Sequence, residues 1–180
     1  MTQAKAGEPA WLAEARKWIG LKEIPGSEHE DEILKFFADA GHSWVDNDET
    51  AWCAAFVNAM LERSGYKGTG KLTARSFLEW GEKLDKPRIG CITVFSRTNN
   101  PSLGHAGFYL GEDKTHIKIL SGNDQNSVRV GRYAKSRLLG YRWPVEKRAS
   151  VRPQHRPSTV NTIPPPLPQT AQKPATQLPP

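Results

Sequence analysis

The sequence predicts an α+β domain, N-terminal helices packed on a C-terminal antiparallel β-sheet, followed by a proline-rich tail. Three observations carry that prediction. Apolar residues recur at helical spacing as far as about residue 80, and a glycine closes each helical stretch. From about residue 91 the period changes to alternation, with turn residues between the alternating runs. From Ala149 to Pro180 the chain holds nine of its 14 prolines and neither an acidic nor an aromatic residue. Such a composition buries too little apolar surface to offset the entropy of ordering. The 180 residues therefore divide into a flexible N-terminus (1–9), a folded domain (10–148) and a disordered Pro-rich tail (149–180).

Each element has its own signal. Trp11, Leu12, Ala15, Trp18 and Ile19 predict a first helix that stops at Gly20, and Pro25-Gly26 marks a turn. A second helix is predicted over Glu30–Ala40, with Ile33, Leu34 and Phe37 inward and Gly41 at its end. A polar loop follows, His42–Glu49, carrying Trp44 and the acids Asp46, Asp48 and Glu49. Cys53, Phe56, Val57, Met60 and Leu61 then fall at i, i+3, i+4, i+7 and i+8, a third helix ending near Gly65 with Thr50 as its predicted N-cap. A short fourth helix fits Ala74–Trp80. The predicted strands are Cys91–Ser96, His105–Leu110, Ile117–Leu120, Val128–Val130 and Leu139–Trp143, with Gly111–Lys114 as a hairpin turn.

Composition excludes several function classes. The longest run of purely apolar residues, Ala51–Val57, is far short of a membrane span. The opening MTQAKAGEPAW has no apolar stretch after a basic start, so no secretory signal peptide is expected and synthesis is placed in the cytoplasm. Two cysteines, Cys53 and Cys91, make no disulfide framework and too few ligands for a structural zinc, and no metal or organic cofactor is expected. The formal charge of +6 suggests a nucleic-acid binder, but three of those charges lie in the tail. The remaining basic residues, among them Lys67, Arg75, Arg129 and Arg142, are dispersed without a recognition signature, so no nucleic-acid partner is expected. A monomer is expected, and Pro164-Pro165-Pro166-Leu167-Pro168 offers a polyproline segment to a tail partner.

Three residues form a candidate catalytic set. Cys53 lies near a helix N-terminus, where free N–H groups and the helix dipole favour the thiolate. The competing reading is a small buried hydrophobe on the apolar face of that helix. His105 opens a strand after the flexible segment Pro101–Gly104, with Gly107 and Tyr109 on its face and Ala106, Phe108 and Leu110 on the other. An imidazole there is placed to take the thiol proton and return it to a leaving amine. Asn123, just beyond the Ile117–Leu120 strand, is the candidate that orients the ring, with Gln125 and His116 as alternatives. Trp44, Trp52 and Trp80 are candidate substrate-binding residues lining a groove. Cys91, with no basic neighbour on its strand, reads as packing.

The ordered set resembles a known superfamily. Trp52-Cys53-Ala54-Ala55-Phe56-Val57 is similar to the nucleophile helix of the papain-like cell-wall hydrolases of the NlpC-type and CHAP (cysteine–histidine amidohydrolase/peptidase) families. Gly104-His105-Ala106-Gly107-Phe108-Tyr109-Leu110-Gly111 resembles their G-H-V-G strand, and Lys86–Phe95 is similar to their first core strand. The opening Trp18-Ile19-Gly20-Leu21-Lys22-Glu23-Ile24-Pro25-Gly26 resembles a phage- and prophage-associated subgroup. The resemblance spans Ala10–Pro144. It departs from the family pattern at Cys91, where an acid is common, and at Trp52, which replaces an aspartate.

What the resemblance implies is a peptidoglycan hydrolase, a cysteine endopeptidase or amidase that cleaves an amide bond of the wall stem peptide through a thioester. It also implies action at the wall after release by a holin, secretion or lysis. The alternatives are a catalytically inert wall-binding or phage structural module on the same fold, and a papain-like acyltransferase.

Overall fold

The computed structural model describes residues 7–97 and 100–145. Residues 1–6 of the expected flexible N-terminus, and the whole tail expected to be disordered, lie outside the described residues. The elements run α1 (Ala10–Arg16), α2 (Asp31–Asp39), α3 (Cys53–Arg63), a 3₁₀ segment (Ala74–Glu79), β1 (Glu82–Leu84), β2 (Ile92–Arg97), β3 (Asn100–Glu112), β4 (His116–Ser121), β5 (Arg129–Ala134) and β6 (Leu138–Trp143). The predicted class, α+β with helices first, is the observed one. The six strands form one sheet in the order β1-β6-β2-β3-β4-β5, every neighbouring pair antiparallel.

The helices cover one face of that sheet. Residues Cys53 to Leu61 of α3 are all buried, because α1 and α2 flank the helix while β3 and β4 lie beneath it. Ile92 and Val94 of β2, with Ala106 and Phe108 of β3, meet this layer. Their alternate neighbours Cys91, Phe95 and Tyr109 point the other way and join Ile117, Ile119 and Tyr141 in a second cluster. The period-2 rule thus assigns the two faces of β3 as expected from its sequence. Trp11 anchors α1 to the sheet by donating its Nε1–H to the Gly90 carbonyl at 2.8 Å. Pro9 packs where a Cβ on Gly90 would stand, and Glu8 pairs with Arg16 at 2.8 Å.

Several boundaries move, each for a physical reason. The first helix ends at Arg16 rather than Gly20, leaving Trp18 half-buried and Ile19 exposed. The inward set of α2 is Ile33, Phe36 and Phe37; Leu34, expected inward, is half-buried, and Phe36 packs edge-on against Phe56 at 5.3 Å. Thr50 does not cap α3. Its N–H and hydroxyl both donate to Asn47 Oδ1, closing the loop earlier, so Trp52 takes the N-cap position and Cys53 becomes the first helical residue. Pro101–Gly104, expected as a flexible entry, belongs to β3, which puts His105 inside a 13-residue strand between β2 and β4 and not at a sheet edge.

The acidic loop is fixed by one buried carboxylate. Asp48 accepts from the N–H groups of Ile24 and Glu30, each at 3.0 Å, and meets His29 Nδ1 at 3.1 Å. Burial opposes its charge, and these donors overcome the cost, holding its pKa below the usual aspartate value. Asp48 therefore staples the segment after α1 to the loop that leads into α3.

Candidate functional site

The site forms where β4 leaves β3. Tyr109 exchanges both backbone hydrogen bonds with the segment leading into β2, donating to Cys91 and accepting from Gly90. Backbone groups alternate sides along a strand, so the N–H of Ala106 points instead toward β4. The β3–β4 pairing begins at Phe108 with Leu120, and beyond Ser121 the chain turns away over α3. Gly122 makes that turn possible: a Cβ there would overlap the Trp52 ring and lie 2.7 Å from Phe56 Cβ. The Ala106 N–H is thus left for the Cys53 thiol, which approaches from the helix layer.

Three backbone N–H groups favour the charged form of Cys53 Sγ: those of Ala106, Ala54 and Cys53 itself. The last two are free because the first turn of a helix has no preceding carbonyls to bond. The thiol is only 4% exposed. Burial pushes its pKa up, the Ala106 N–H and the positive charge of Arg97 pull it down, and burial prevails.

His105 precedes Ala106 in β3 and lines the cleft that holds Asn123 and Tyr133. It is 3% exposed, and its ring stacks on Tyr133 of β5 at 5.1 Å and 17°. Burial, with Arg97 and Arg137 nearby, depresses its pKa to about 3, so the imidazole is neutral at pH 7. Cys53 and His105 are therefore an uncharged pair in the resting structure.

The group that holds His105 is Ser121, whose Oγ lies 2.9 Å from Nε2. Asn123, expected in that role, sits two residues further on with φ 52°, past the end of β4, and lines the cleft beside His105. Gln125, at φ 51°, lines the same cleft and accepts from Arg129. His116 starts β4 at its far end, paired with Ala134, and bonds Thr115 Oγ1 at 2.8 Å. Ser121 escapes the sequence pattern because the predicted strand stops at Leu120. Extending the alternation of Ile117 and Ile119 by one step would have found it.

The three tryptophans do not share a groove. Trp52 is fully buried, donating its Nε1–H to Glu23 Oε1 at 2.6 Å, and so presents no surface to a ligand. Its indole fills the core beside Phe36 and Phe56, which corrects the expected binding role. Trp80 packs edge-on against Phe77 and borders a separate depression with Lys67, Gly68, Gly81 and Val145. Trp44 is 73% exposed, its ring 6.0 Å from that of His42.

Two depressions meet at the site. One, of about 460 Å³, is lined by His105, Asn123, Asp124, Tyr133 and Arg137 among others. The other, of about 150 Å³, reaches Cys53 between Ala51, Leu72 and Ala74. Arg97 and Leu103 border both, so the two depressions adjoin at the β2–β3 hairpin. Among the described residues no cluster of His, Cys, Asp and Glu could hold a metal ion, and no helix is long and apolar enough to cross a membrane.

No protein-family model matches the sequence. No curated protein matches it either. Among solved structures, the chain is similar to a Staphylococcus aureus protein described as similar to lipoprotein, NLP/P60 family, with 13% identity and a TM-score of 0.45. The similarity covers 82% of this chain and 44% of that one, so the chain spans less than half of that protein's length.

Proposed function

We propose that the protein is a cysteine hydrolase that cleaves an amide bond of the peptidoglycan stem peptide, with Cys53 as nucleophile and His105 as base. The observation that carries this reading is the place of Cys53 as first residue of α3, among the free N–H groups of its first turn and lining a depression that borders the cleft of His105 at Arg97 and Leu103. A packing cysteine needs no such donors. A thiolate does, and so does the oxyanion that forms when a thiolate attacks a carbonyl.

In this reading the thiol proton passes to the imidazole as sulfur bonds to the amide carbonyl carbon. The tetrahedral oxyanion takes hydrogen bonds from the helix N-terminus. The imidazolium then protonates the leaving amine as the C–N bond breaks, leaving a thioester. Water, deprotonated by the same imidazole, attacks the thioester and restores the thiol. Peptidoglycan is the substrate class that the resemblance of the Trp52–Val57 helix and the Gly104–Gly111 strand implies. No cofactor enters the scheme, and Asn123 serves in it as a cleft residue.

The test is digestion of purified sacculi by the full chain and by Cys53→Ala, followed by mass spectrometry of the released fragments. New amino termini from wild type alone support the reading, and their identity names the bond. Equal release by both proteins removes Cys53 from the chemistry. The burial of thiol and imidazole favours a second reading, a catalytically inert wall-binding module. It is supported if neither protein releases fragments and both sediment with sacculi.

A further inference from the structure

Arg97 ends β2 at an irregularity of the sheet. Pairing runs from Ile92 with Phe108 to Ser96 with Gly104 and then jumps, so that Arg97 faces Asn100. A break of this kind re-aims the side chain that follows it. Here that side chain borders both depressions, the one that reaches Cys53 and the one that holds His105, a place it shares with the uncharged Leu103. A substrate that brings its scissile carbonyl to the thiol and also enters the His105 cleft passes Arg97.

The guanidinium is left for something outside the chain. Arg16, Arg63 and Arg132 each pair with a carboxylate. Arg97 is exposed and makes no ion pair or hydrogen bond among the described residues. A second cation lines the same cleft. Arg137 donates from Nε and Nη2 to the carbonyl of Ser96, the residue before Arg97, at 2.9 and 2.8 Å. That fork fixes the Arg137 side chain at the cleft wall.

The cleft's own acid does not neutralise the pair. Asp124 lies against Gly131 of β5, in space that a Cβ there would enter, and among the described residues it pairs with neither arginine. Two arginines and one aspartate leave the cleft with a net charge of +1, since the His105 imidazole is neutral. The Arg97 charge is felt on both sides of the junction, for it pulls the Cys53 thiol pKa down and that of His105 down as well. Neighbouring guanidinium groups repel, and a bound anion relieves that repulsion. The planar fork of arginine matches a carboxylate, whose two oxygens accept from it together.

We propose that Arg97, with Arg137 beside it, is a carboxylate-binding subsite where the two depressions meet, and that it selects amide bonds flanked by a free carboxylate. This rests on the reading of Cys53 as the nucleophile toward the stem peptide. A carboxylate seated on Arg97 brings the neighbouring carbonyl to Cys53. Arg97 is thus a specificity-determining residue and takes no proton.

The charge preference can be read at the thiol without any wall substrate. Iodoacetate and iodoacetamide alkylate the same thiolate and differ by one charged group, so the ratio of their rates cancels the thiolate fraction. Peptide mass spectrometry separates Cys53 from Cys91. Relative to the same chain in urea at equal salt, native wild type is expected to favour iodoacetate by about threefold or more. The preference should vanish in Arg97→Gln and remain in part in Arg97→Lys, which keeps the charge without the fork. A native ratio equal to that in urea overturns the proposal, and so does a preference that survives in Arg97→Gln. If that variant does not fold, salt decides: a wild-type preference unmoved between about 0.02 and 0.5 M NaCl overturns it.

Turnover separates this proposal from the functional reading. Carbodiimide with ammonia converts the carboxylates of purified sacculi into amides. Wild type is expected to release fragments from untreated sacculi about tenfold faster than from amidated ones, and Arg97→Gln to treat the two alike. Equal cutting of both by wild type overturns the subsite and leaves the nucleophile in place. If Cys53→Ala releases fragments like wild type, the functional reading fails while the alkylation ratio still reports the subsite.

Discussion

The backbone N–H of Ala106, the strand residue that follows His105, faces the Cys53 thiol at the first residue of α3 and pulls its pKa down against burial. The approach is open because the β3–β4 pairing begins at Phe108 with Leu120, short of Ala106. Wherever a sheet opens beside a helix N-terminus, backbone donors from both elements face the gap. The candidate site is thus a consequence of where one strand stops.

A first prediction concerns that thiol. Burial raises the Cys53 pKa, so at neutral pH its thiolate fraction is below that of an unfolded cysteine. The thiolate is the species that alkylates. Reaction with iodoacetamide, followed by mass spectrometry, is therefore expected to be slower in the native chain than in urea. Its rate should keep rising with pH above about 9, beyond the ordinary cysteine pKa. Native alkylation as fast as in urea at pH 7.5 would contradict so deep a burial of the thiol.

His105 gives a pH dependence of stability. Its folded pKa of about 3 lies below the unfolded value near 6.5. Between those limits the unfolded chain takes up a proton that the folded chain does not, so stability falls as pH drops below 6.5. At pH 5 the loss from this residue is about 2 kcal/mol. Urea unfolding at pH 7.5 and 5 should show that loss in wild type, and His105→Asn should show less pH dependence by the same amount.

How much of this was legible in the sequence depends on the range of the interactions. Periodicity located α2, α3 and the faces of β3, because those depend on neighbours a few residues apart. It missed Ser121 and Tyr133 as partners of His105, since that grouping follows from the register of β4 against β5, which spacing alone does not encode. Thr50 looked like a cap because Ser, Thr, Asp and Asn are common there, yet Asn47 captured it first. Trp52 looked like a binding residue beside the nucleophile, and three-dimensional packing made it core.

Asp48 supplies a stability prediction. Asp48→Ala strips two backbone N–H groups and His29 of their acceptor in a buried setting, at a cost of about 2–4 kcal/mol. Asp48→Asn keeps one oxygen acceptor and should cost less. Thermal unfolding of the two variants checks the order, and an Ala variant as stable as wild type would show that the staple is dispensable.

Gly122 separates site geometry from overall stability. A methyl group added there meets the Trp52 ring and Phe56 at the start of α3, so β4 and α3 must part. Gly122→Ala is expected to lower stability by about 1–3 kcal/mol and to loosen Cys53 from the Ala106 N–H. The loosened thiol should alkylate faster than in wild type at equal pH, under conditions where both chains are folded by circular dichroism. Unchanged alkylation would mean that the β4 end does not control the gap.

The tryptophans offer the last contrast. Trp52 is fully buried between Phe36 and Phe56 with its indole N–H held by Glu23, whereas Trp44 is 73% exposed. Trp52→Ala empties a large core volume and is expected to cost about 3–5 kcal/mol. Trp44→Ala should leave the unfolding free energy within about 0.5 kcal/mol of wild type, because its ring gives up little burial on unfolding. If Trp44 touches the wall, the same variant should sediment less with sacculi while melting normally. Stability and wall binding thus part at Trp44, and at Trp52 they must fall together, since no ligand can reach its ring without α3 first coming away from the sheet.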